Sequence, residues 1–252
     1  LDLAIAGERP GEEYSKAVTG TLVAGRPFSP FYLAGIPGAA VTPTPGLSGV
    51  ALTSYSGQIP VPSASGNTHL AYAQFVSSAQ AGAVTIADRL WHNSGFTITS
   101  TAAQTVNSVA WPSRDKNGAT LGDGVYLGVE VSGATGAGTP TITVSYTNSA
   151  GVAGRTATNL VATVATSAAG TFYPIGLAAG DVGVRSVQTL TLSATWTSGT
   201  IHLVAYRPVC VLGLVQAGTP TTLNAVTGNM PRVYDGAVPM VIYRPQTTTT
   251  TQ

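Results

Sequence analysis

Alternation between apolar and polar residues is the dominant pattern along this chain. Residues 141–147 place an aliphatic or aromatic side chain at every second position, with hydroxyl side chains between them. This period of two is typical of a β-strand that buries one face. The turn-forming residues 148–151 follow, and the segment 152–157 returns from them. The sequence therefore predicts an antiparallel hairpin over residues 141–157.

A second hairpin is predicted from the alternating segments 189–197 and 201–207, which a three-residue turn connects. Other short segments rich in β-branched residues lie between residues 69 and 243, separated by turns that contain Gly, Asn or Asp. No long helical pattern interrupts them. Short strands at this spacing predict that residues 63–245 form an all-β body, an antiparallel β-sandwich or a jelly-roll-like fold.

The N-terminal part of the chain follows a different pattern. Between residues 26 and 62 it contains seven prolines and frequent glycines, a density that neither a sheet interior nor a helix accommodates. Its aromatic and aliphatic side chains are nevertheless too apolar for a solvated linker. We expect residues 1–62 to be an extended Pro/Gly-rich arm laid across a surface, either of its own domain or of a neighbouring copy. Residues 246–252 are expected to be a flexible Thr-rich tail, because they have almost nothing to bury.

The composition of the chain indicates a surface with little charge. Charged residues are 8% of the chain, about a third of the usual share, while hydrophobic residues are 44%. This composition argues against solvated disorder. A surface with so little charge is also poorly protected against self-association. We therefore expect a component of a stable assembly, a homo-oligomer such as a dimer or a trimer.

Charge, cysteine content and hydropathy also exclude several classes of partner. The net charge is +1 and the arginines are scattered, so neither nucleic acid nor an anionic membrane is an expected partner. Cys210 is the only cysteine, so no internal disulfide is possible, and its apolar neighbours predict a buried thiol. No apolar run has the length of a membrane span. Residues 1–8 lack the basic and hydrophobic regions of a signal peptide.

The candidate catalytic residues do not form a known motif. His92 and His202 together with Asp88, Asp123 or Asp181 are the available acid–imidazole combinations, but no Gly-x-Ser-x-Gly turn supplies a nucleophile. His202 is better explained as a half-exposed strand residue than as a metal ligand. The aspartates in Gly-rich turns match no calcium-binding loop and are explained as turn formers. We expect no enzymatic activity, no metal and no cofactor.

Aromatic side chains are the remaining candidates for a binding role. Trp91, Trp111 and Trp196 could form a sugar-binding platform if exposed, but rings scattered along strands are more simply core residues or anchors at a subunit interface. The candidate interface residues combine apolar side chains of the arm with two of the tryptophans. They are Phe28, Phe31, Tyr32, Leu33, Ile36, Trp91 and Trp111.

Several segments resemble a known group of proteins. They are 88–95 (DRLWHNSG), 104–115 (QTVNSVAWPSRD), 145–151 (SYTNSAG), 178–186 (AAGDVGVRS) and 201–207 (IHLVAYR). Together they resemble tailed-bacteriophage proteins that are encoded among the virion structural genes, and the likeness covers about residues 52–245. The resemblance implies a capsid-associated cement or decoration protein at the surface of the virion, and it implies no catalytic residue.

The function expected from this resemblance is stabilisation of the shell by binding the major capsid protein and neighbouring copies. Cement proteins hold shell subunits through arms and β-rich bodies, with large apolar and hydrogen-bonded contacts. Deletion of residues 1–50 is then expected to weaken binding to the particle and to leave the β body folded. The alternative is a tail, fibre or receptor-binding module whose exposed aromatic rings contact glycans of the host surface.

Overall fold

The computed structural model describes residues 12–17, 22–61, 67–78 and 81–248. These residues contain fourteen strands and one short 3-10 helix, Pro30–Tyr32, which confirms the all-β prediction. In chain order the strands are β1 (Ser15–Lys16), β2 (Gly35–Ile36), β3 (Val50–Ala51), β4 (Tyr72–Phe75), β5 (Gly82–His92), β6 (Gln104–Thr105), β7 (Tyr126–Gly133), β8 (Ile142–Asn148), β9 (Arg155–Asn159), β10 (Phe172–Gly176), β11 (Val184–Leu192), β12 (Thr200–Leu214), β13 (Thr221–Asn224) and β14 (Pro239–Pro245). No helix in this part of the chain is long and apolar enough to cross a membrane.

Three of the sequence predictions fall partly outside the described residues; for the β body, predicted over residues 63–245, these are residues 63–66 and 79–80. The predicted arm includes residues 1–11, 18–21 and 62, and the predicted tail includes residues 249–252, none of which the structure describes. Within the predicted arm, the structure describes residues 12–17 and 22–61.

Ten strands form one large antiparallel sheet. Its order is β14-β5-β12-β7-β10-β9-β8-β11-β6, and β3 pairs with β5 as well. The sheet curls until the segments that precede β7 and β11 meet. Val184 N–H donates to Val125 O at 2.9 Å, and Gly124 N–H donates to Val182 O at 3.1 Å. This curl gives two facing layers of strands, an arrangement compatible with a β-sandwich.

The first core lies inside this curl. Val129 of β7, Val144 of β8 and Leu203 of β12 are fully buried there, at alternating positions of their strands. Trp91 and Trp111 pack in the same core with their ring centroids 5.2 Å apart. The period-two pattern of the sequence follows from this arrangement, because alternate side chains of a strand point to the same face.

The arm closes a second ring on the opposite face of the central strands. Phe28 lies between β14 and the start of β10. Its N–H donates to Tyr243 O at 2.7 Å, Tyr243 N–H donates back to Phe28 O at 2.7 Å, and Phe172 N–H donates to Pro27 O at 2.9 Å. The second core fills this ring with Phe31, Ala40, Ala87, Phe172, Val204, Met240 and Ile242. The middle parts of β5, β12, β7 and β10 are therefore buried on both faces.

The arm thus packs on its own chain, which is one of the two alternatives that the sequence left open. Leu52 N–H donates to Leu90 O at 2.8 Å and Ile59 N–H donates to Pro239 O at 3.2 Å, so the contact continues well beyond Phe28. Deletion of residues 1–50 would remove buried aromatic rings from the folded unit. We therefore expect this deletion to destabilise the β body, contrary to the expectation from sequence.

One of the two predicted hairpins is present and the other is wrong. β8 and β9 pair in antiparallel fashion, which confirms the hairpin over residues 141–157. The segments 189–197 and 201–207 do not pair with each other, because β11 pairs with β8 and β6, whereas β12 pairs with β5 and β7. Their connection packs against the chain beyond β7, where Thr197 N–H donates to Ala137 O at 2.9 Å. Alternation identifies a strand but does not identify its partner.

The substitution Phe31→Ala tests whether the arm belongs to the folded core. Phe31 is 1% exposed and stacks on Tyr55 with ring centroids 6.2 Å apart. Its truncation leaves a cavity and should lower the free energy of unfolding by about 3–5 kcal/mol. Ile36→Ala is the control on the same arm, since Ile36 is 53% exposed, and it should cost less than about 0.5 kcal/mol. Urea denaturation measures both, and equal losses would contradict a docked arm.

Candidate functional site

A network of buried polar side chains lies in the second core, where the arm meets the sheet. Arg89 of β5 and Glu130 of β7 are fully buried, and Arg89 Nη1 donates to Glu130 Oε2 at 2.6 Å. The ion pair passes over β12, which lies between these two strands. In the register of the sheet Glu130 is opposite His202, and Arg89 is opposite Tyr206. The polar positions of three adjacent strands therefore meet in one place.

The other groups around Arg89 connect this network to the arm. Arg89 Nη2 donates to the Tyr32 hydroxyl at 3.2 Å, and Arg89 Nε donates to His92 Nδ1 at 3.2 Å. The guanidinium group lies over the ring of Phe31, 4.8 Å from its centroid. Tyr55 covers His92 edge-on, with ring centroids 4.6 Å apart. Aromatic side chains of the arm thus cover the ion pair and shield it from solvent.

His202 lies on the face of β12 that the second core covers, as Val204 does. Both nitrogens of its ring are hydrogen-bonded. Its Nδ1 lies 2.8 Å from Asn93 O, and since a carbonyl only accepts, Nδ1 carries the proton. Nε2 therefore accepts from the Ser132 hydroxyl at 2.7 Å. This is the direction of hydrogen bonding found between a general base and a serine nucleophile. Here a backbone carbonyl rather than a carboxylate orients the ring. Two surface cavities of about 300 Å³ among the described residues are lined by other side chains.

Burial controls the protonation of the two histidines. The pKa of His92 is lowered to about 2, by burial first and then by the positive charge of Arg89 and by His202. The pKa of His202 is also lowered, chiefly by burial. Both rings are therefore neutral near pH 7. The network then contains one positive and one negative charge, on Arg89 and Glu130.

A second buried ion pair lies on the opposite face of β5. Arg114 binds Asp88 with two hydrogen bonds, Nε to Oδ2 at 2.9 Å and Nη2 to Oδ1 at 3.2 Å. Val238 N–H donates to Asp88 Oδ1 at 2.9 Å, and Arg114 Nη1 donates to Leu52 O at 2.7 Å. Arg207 Nη2 lies 4.0 Å from Asp88 Oδ2. This cluster connects the arm, β5 and the segment before β14.

Most of the candidate interface residues lie inside the fold of the chain. Those that are buried or partly buried are Phe28, Phe31, Tyr32, Leu33, Trp91 and Trp111. Ile36 is exposed. The two tryptophans take the core role that the sequence offered as one alternative. Trp196 is also fully buried, so the three indole rings do not form an exposed sugar-binding platform.

The acid–imidazole combinations considered from sequence are not assembled. Asp88 is bound by Arg114, and the carboxylate of Asp181 accepts from Arg155 Nε at 2.9 Å and from the Tyr146 hydroxyl. His202 is fully buried rather than half-exposed, because both faces of β12 are covered at this position. Among the described residues, no group of three or more His, Cys, Asp or Glu is placed to hold a metal ion.

Sequence reasoning missed the pair of Arg89 and Glu130. Each is a charged residue at a polar position of an alternating strand, which is normally interpreted as facing solvent. The available signal was the scarcity of charge, 8% of the chain, which makes any charged residue inside an apolar strand informative. A charge flanked by Val129 and Val131 in such a chain indicates a buried pair, although not its partner.

Few of the exposed side chains are charged. In the part of the chain that the structure describes, as many charged residues are buried as are exposed. The buried ones are Asp88, Arg89, Arg114, Asp115, Glu130 and Arg207. The exposed ones are Glu12, Glu13, Lys116, Arg185, Asp235 and Arg244. Exposed large hydrophobic side chains outnumber the latter; they are Ile36, Val41, Val50, Tyr72, Val76, Val109, Leu121, Tyr126, Val152, Leu160, Val182, Val211, Val215 and Val226.

Comparison of the chain with models of protein families, with curated proteins and with solved structures finds no match. The class defined by the fold is an all-β protein with one large curled sheet. The likeness to virion proteins stays a prediction.

Removal of one charge from the buried pair tests its energetic role. Glu130→Gln leaves the Arg89 guanidinium buried without its counter-ion, which should cost about 3–5 kcal/mol of stability. The double variant Arg89→Met with Glu130→Leu removes both charges and should recover most of this loss. Lys116→Gln is the control, because its pair with Asp123 is 60% exposed at the lysine and should contribute less than about 1 kcal/mol. Denaturant midpoints compare the variants, and a double variant no better than Glu130→Gln would contradict this assignment.

The pH dependence of stability follows from the histidines. The folded pKa of His92, about 2, lies below the unfolded value of 6.5, so protons bind preferentially to the unfolded chain once the pH falls below 6.5. Stability should therefore decrease by about 1.4 kcal/mol per pH unit for this residue between pH 6.5 and pH 4.5. Urea titrations at several pH values measure the slope.

His92→Gln should flatten this slope, because the unfolded chain then lacks that proton-binding site. His69→Gln, at an exposed residue, is the matched control for the replacement of a histidine by glutamine. A slope that is the same with and without His92 would be inconsistent with a buried neutral imidazole.

Proposed function

We propose that the chain is a structural protein of a tailed-bacteriophage virion, a decoration protein that binds the major capsid protein and neighbouring copies at the capsid surface. The observation that carries the proposal is the exposed surface, where fourteen large hydrophobic side chains accompany six charged ones in the described residues. Protein–protein interfaces are depleted in Lys, Glu and Asp, and exposed apolar patches mark interaction sites. The resemblance of residues 52–245 to virion proteins supplies the context.

One group of exposed apolar side chains lies at the end of the curled sheet, on three neighbouring turns. Leu121, Val152 and Val182 are 46%, 53% and 59% exposed. Leu121 and Val182 line a surface depression of about 310 Å³, whose other lining residues are Asp115, Asn117, Ala119, Asp123, Ser149 and Ala150. We assign the contact with the shell to this apolar tip, defined by Leu121, Val152 and Val182.

The turns of the apolar tip are held by hydrogen bonds, so little order has to be gained on binding. The Asp115 carboxylate accepts from the N–H groups of Asn117 at 2.9 Å, Ala119 at 2.8 Å and Gly122 at 3.1 Å. On the adjacent turn Ser149 N–H donates to Gly183 O at 2.9 Å. Preorganised surfaces lose less conformational entropy on association, which raises affinity without additional contacts.

Stabilisation of a shell by such a protein needs no chemical step. Each copy contributes buried apolar area and hydrogen bonds to its neighbours, and an interface of ordinary size buries about 1,200–2,000 Å² in total. The two cores keep the body rigid, so force on one side of a copy is transmitted to the other. Summed over many copies, modest interfaces resist expansion of the shell.

The copy number in purified particles tests the proposal. Quantitative mass spectrometry should find a ratio to the major capsid protein near one, or a simple fraction of it. A ratio of a few per cent would instead indicate a tail or vertex component, and absence from the particles would refute the virion assignment.

The role of the apolar tip is tested by adding purified protein to shells that lack it. Val182→Glu places a charge in the proposed contact and should reduce affinity at least about tenfold. Val226→Glu adds the same charge at a position that is 90% exposed and outside the tip, and it should bind as the unmodified chain does.

A further inference from the structure

Among the described residues, the C-terminal half of β12 has no partner strand along one of its edges. β12 pairs with β5 from Val204 to Leu214, but on its other side β7 accompanies it only as far as Tyr206. In the described part of the chain, no backbone hydrogen bond reaches residues 208–215 from that other side. A row of backbone donors and acceptors is therefore available along about half of the strand.

Side chains show that this edge is open to solvent on one face of the sheet. Val211 and Val215 are 57% and 86% exposed. Gly213 lies between them, and a Cβ atom added there would have no atom within 4 Å. On the opposite face Cys210 and Leu212 are buried in a core with the β4–β13 hairpin. The strand is thus anchored on one face and accessible on the other.

The open face continues from β12 onto β5 with small, uncharged side chains. Val211 lies opposite Thr85 and Gly213 lies opposite Ala83, and both β5 residues are only partly buried. The arm covers this face of the sheet nearer to Ala87, where the second core begins. On the far side of β5, the exposed Arg244 of β14 lies opposite Ala83, whereas residues 208–215 of the edge itself carry no charge.

The sequence of this half-strand lacks the usual protection against pairing. Exposed edges are normally blunted by charged side chains, by proline or by bulges. Pro208 and a bulge between Pro208 and Cys210 lie at its start, but residues 209–231 contain no charged residue. A long, apolar, unprotected edge strand is the feature by which sheets recruit another strand.

We propose that this edge pairs in antiparallel fashion with the same edge of a second copy, so that one continuous sheet crosses a two-fold dimer. In a two-fold interface each residue near the axis meets its own counterpart, so any charge there would face a like charge. The absence of charge over residues 209–231 removes this repulsion. Antiparallel pairing relies on main-chain hydrogen bonds, and Val211 and Val215 would bury apolar area beside it. The inference concerns the isolated chain and does not depend on the virion assignment.

Sedimentation equilibrium of the purified full chain, without shells, tests the proposal. The unmodified chain should dimerise, and Val211→Lys should weaken dimerisation at least about tenfold, because two like charges then face each other near the axis. Val226→Lys is the matched control, a valine that is 90% exposed and outside the edge, and it should dimerise normally. Circular dichroism checks that both variants remain folded.

Disulfide cross-linking identifies the register of the pairing. Val211→Cys, Gly213→Cys and Val215→Cys, in a Cys210→Ser background and tested singly and in mixtures, should yield an oxidised dimer at one position or one pair of positions. Val226→Cys should yield none. A chain that is monomeric at all concentrations, or a dimer that Val211→Lys leaves intact, overturns the proposal. A monomeric chain that loses shell binding on Val211→Lys also overturns it, and assigns the edge to the capsid protein.

Discussion

The buried ion pair between Arg89 and Glu130 is the interaction on which the packing of arm and sheet depends. Desolvation of either charge costs several kcal/mol unless the other is in place. The remaining donors of Arg89 bind Tyr32 and His92, and Phe31 lies over its guanidinium group. The aromatic rings of the arm therefore complete the environment that makes the ion pair tolerable. Sheet and arm are energetically one unit.

Placement of charge distinguishes the inside of this protein from its outside. Buried pairs such as Arg114 with Asp88 fix the geometry where loops, arm and strands meet. The exposed surface is left with small and aliphatic side chains, which suits contact with other proteins more than solitary existence. Scarce charge is thus used in buried pairs that fix the fold, and the proposed association with other proteins relies on apolar surface. Neither role needs a reactive group.

The sequence predicted the first core better than the second, for a physical reason. Val129 and Val131 sit at alternating positions of one strand, so local periodicity reveals the face that they bury. The opposite face of the same strand carries Glu130 and looks solvent-exposed until a segment distant in the chain covers it. The arm was recognised as apolar, but its docking depends on packing against β14 and β10, which no local pattern encodes. The predicted pairing of β11 with β12 was wrong for the same reason. Alternation shows which face of a strand is buried, but it does not show which strand lies beside it.

Phe28 closes the second ring by pairing with Tyr243, 215 positions later in the chain. During synthesis the arm leaves the ribosome before its partner strand β14. The arm therefore stays without this pairing until β14 has been synthesised. Long-range contacts of this kind slow folding and prolong exposure of apolar surface. Two chains synthesised side by side would each present an undocked arm to β14 of the other. The time between synthesis of the arm and synthesis of β14 is therefore the interval in which two copies can exchange their arms.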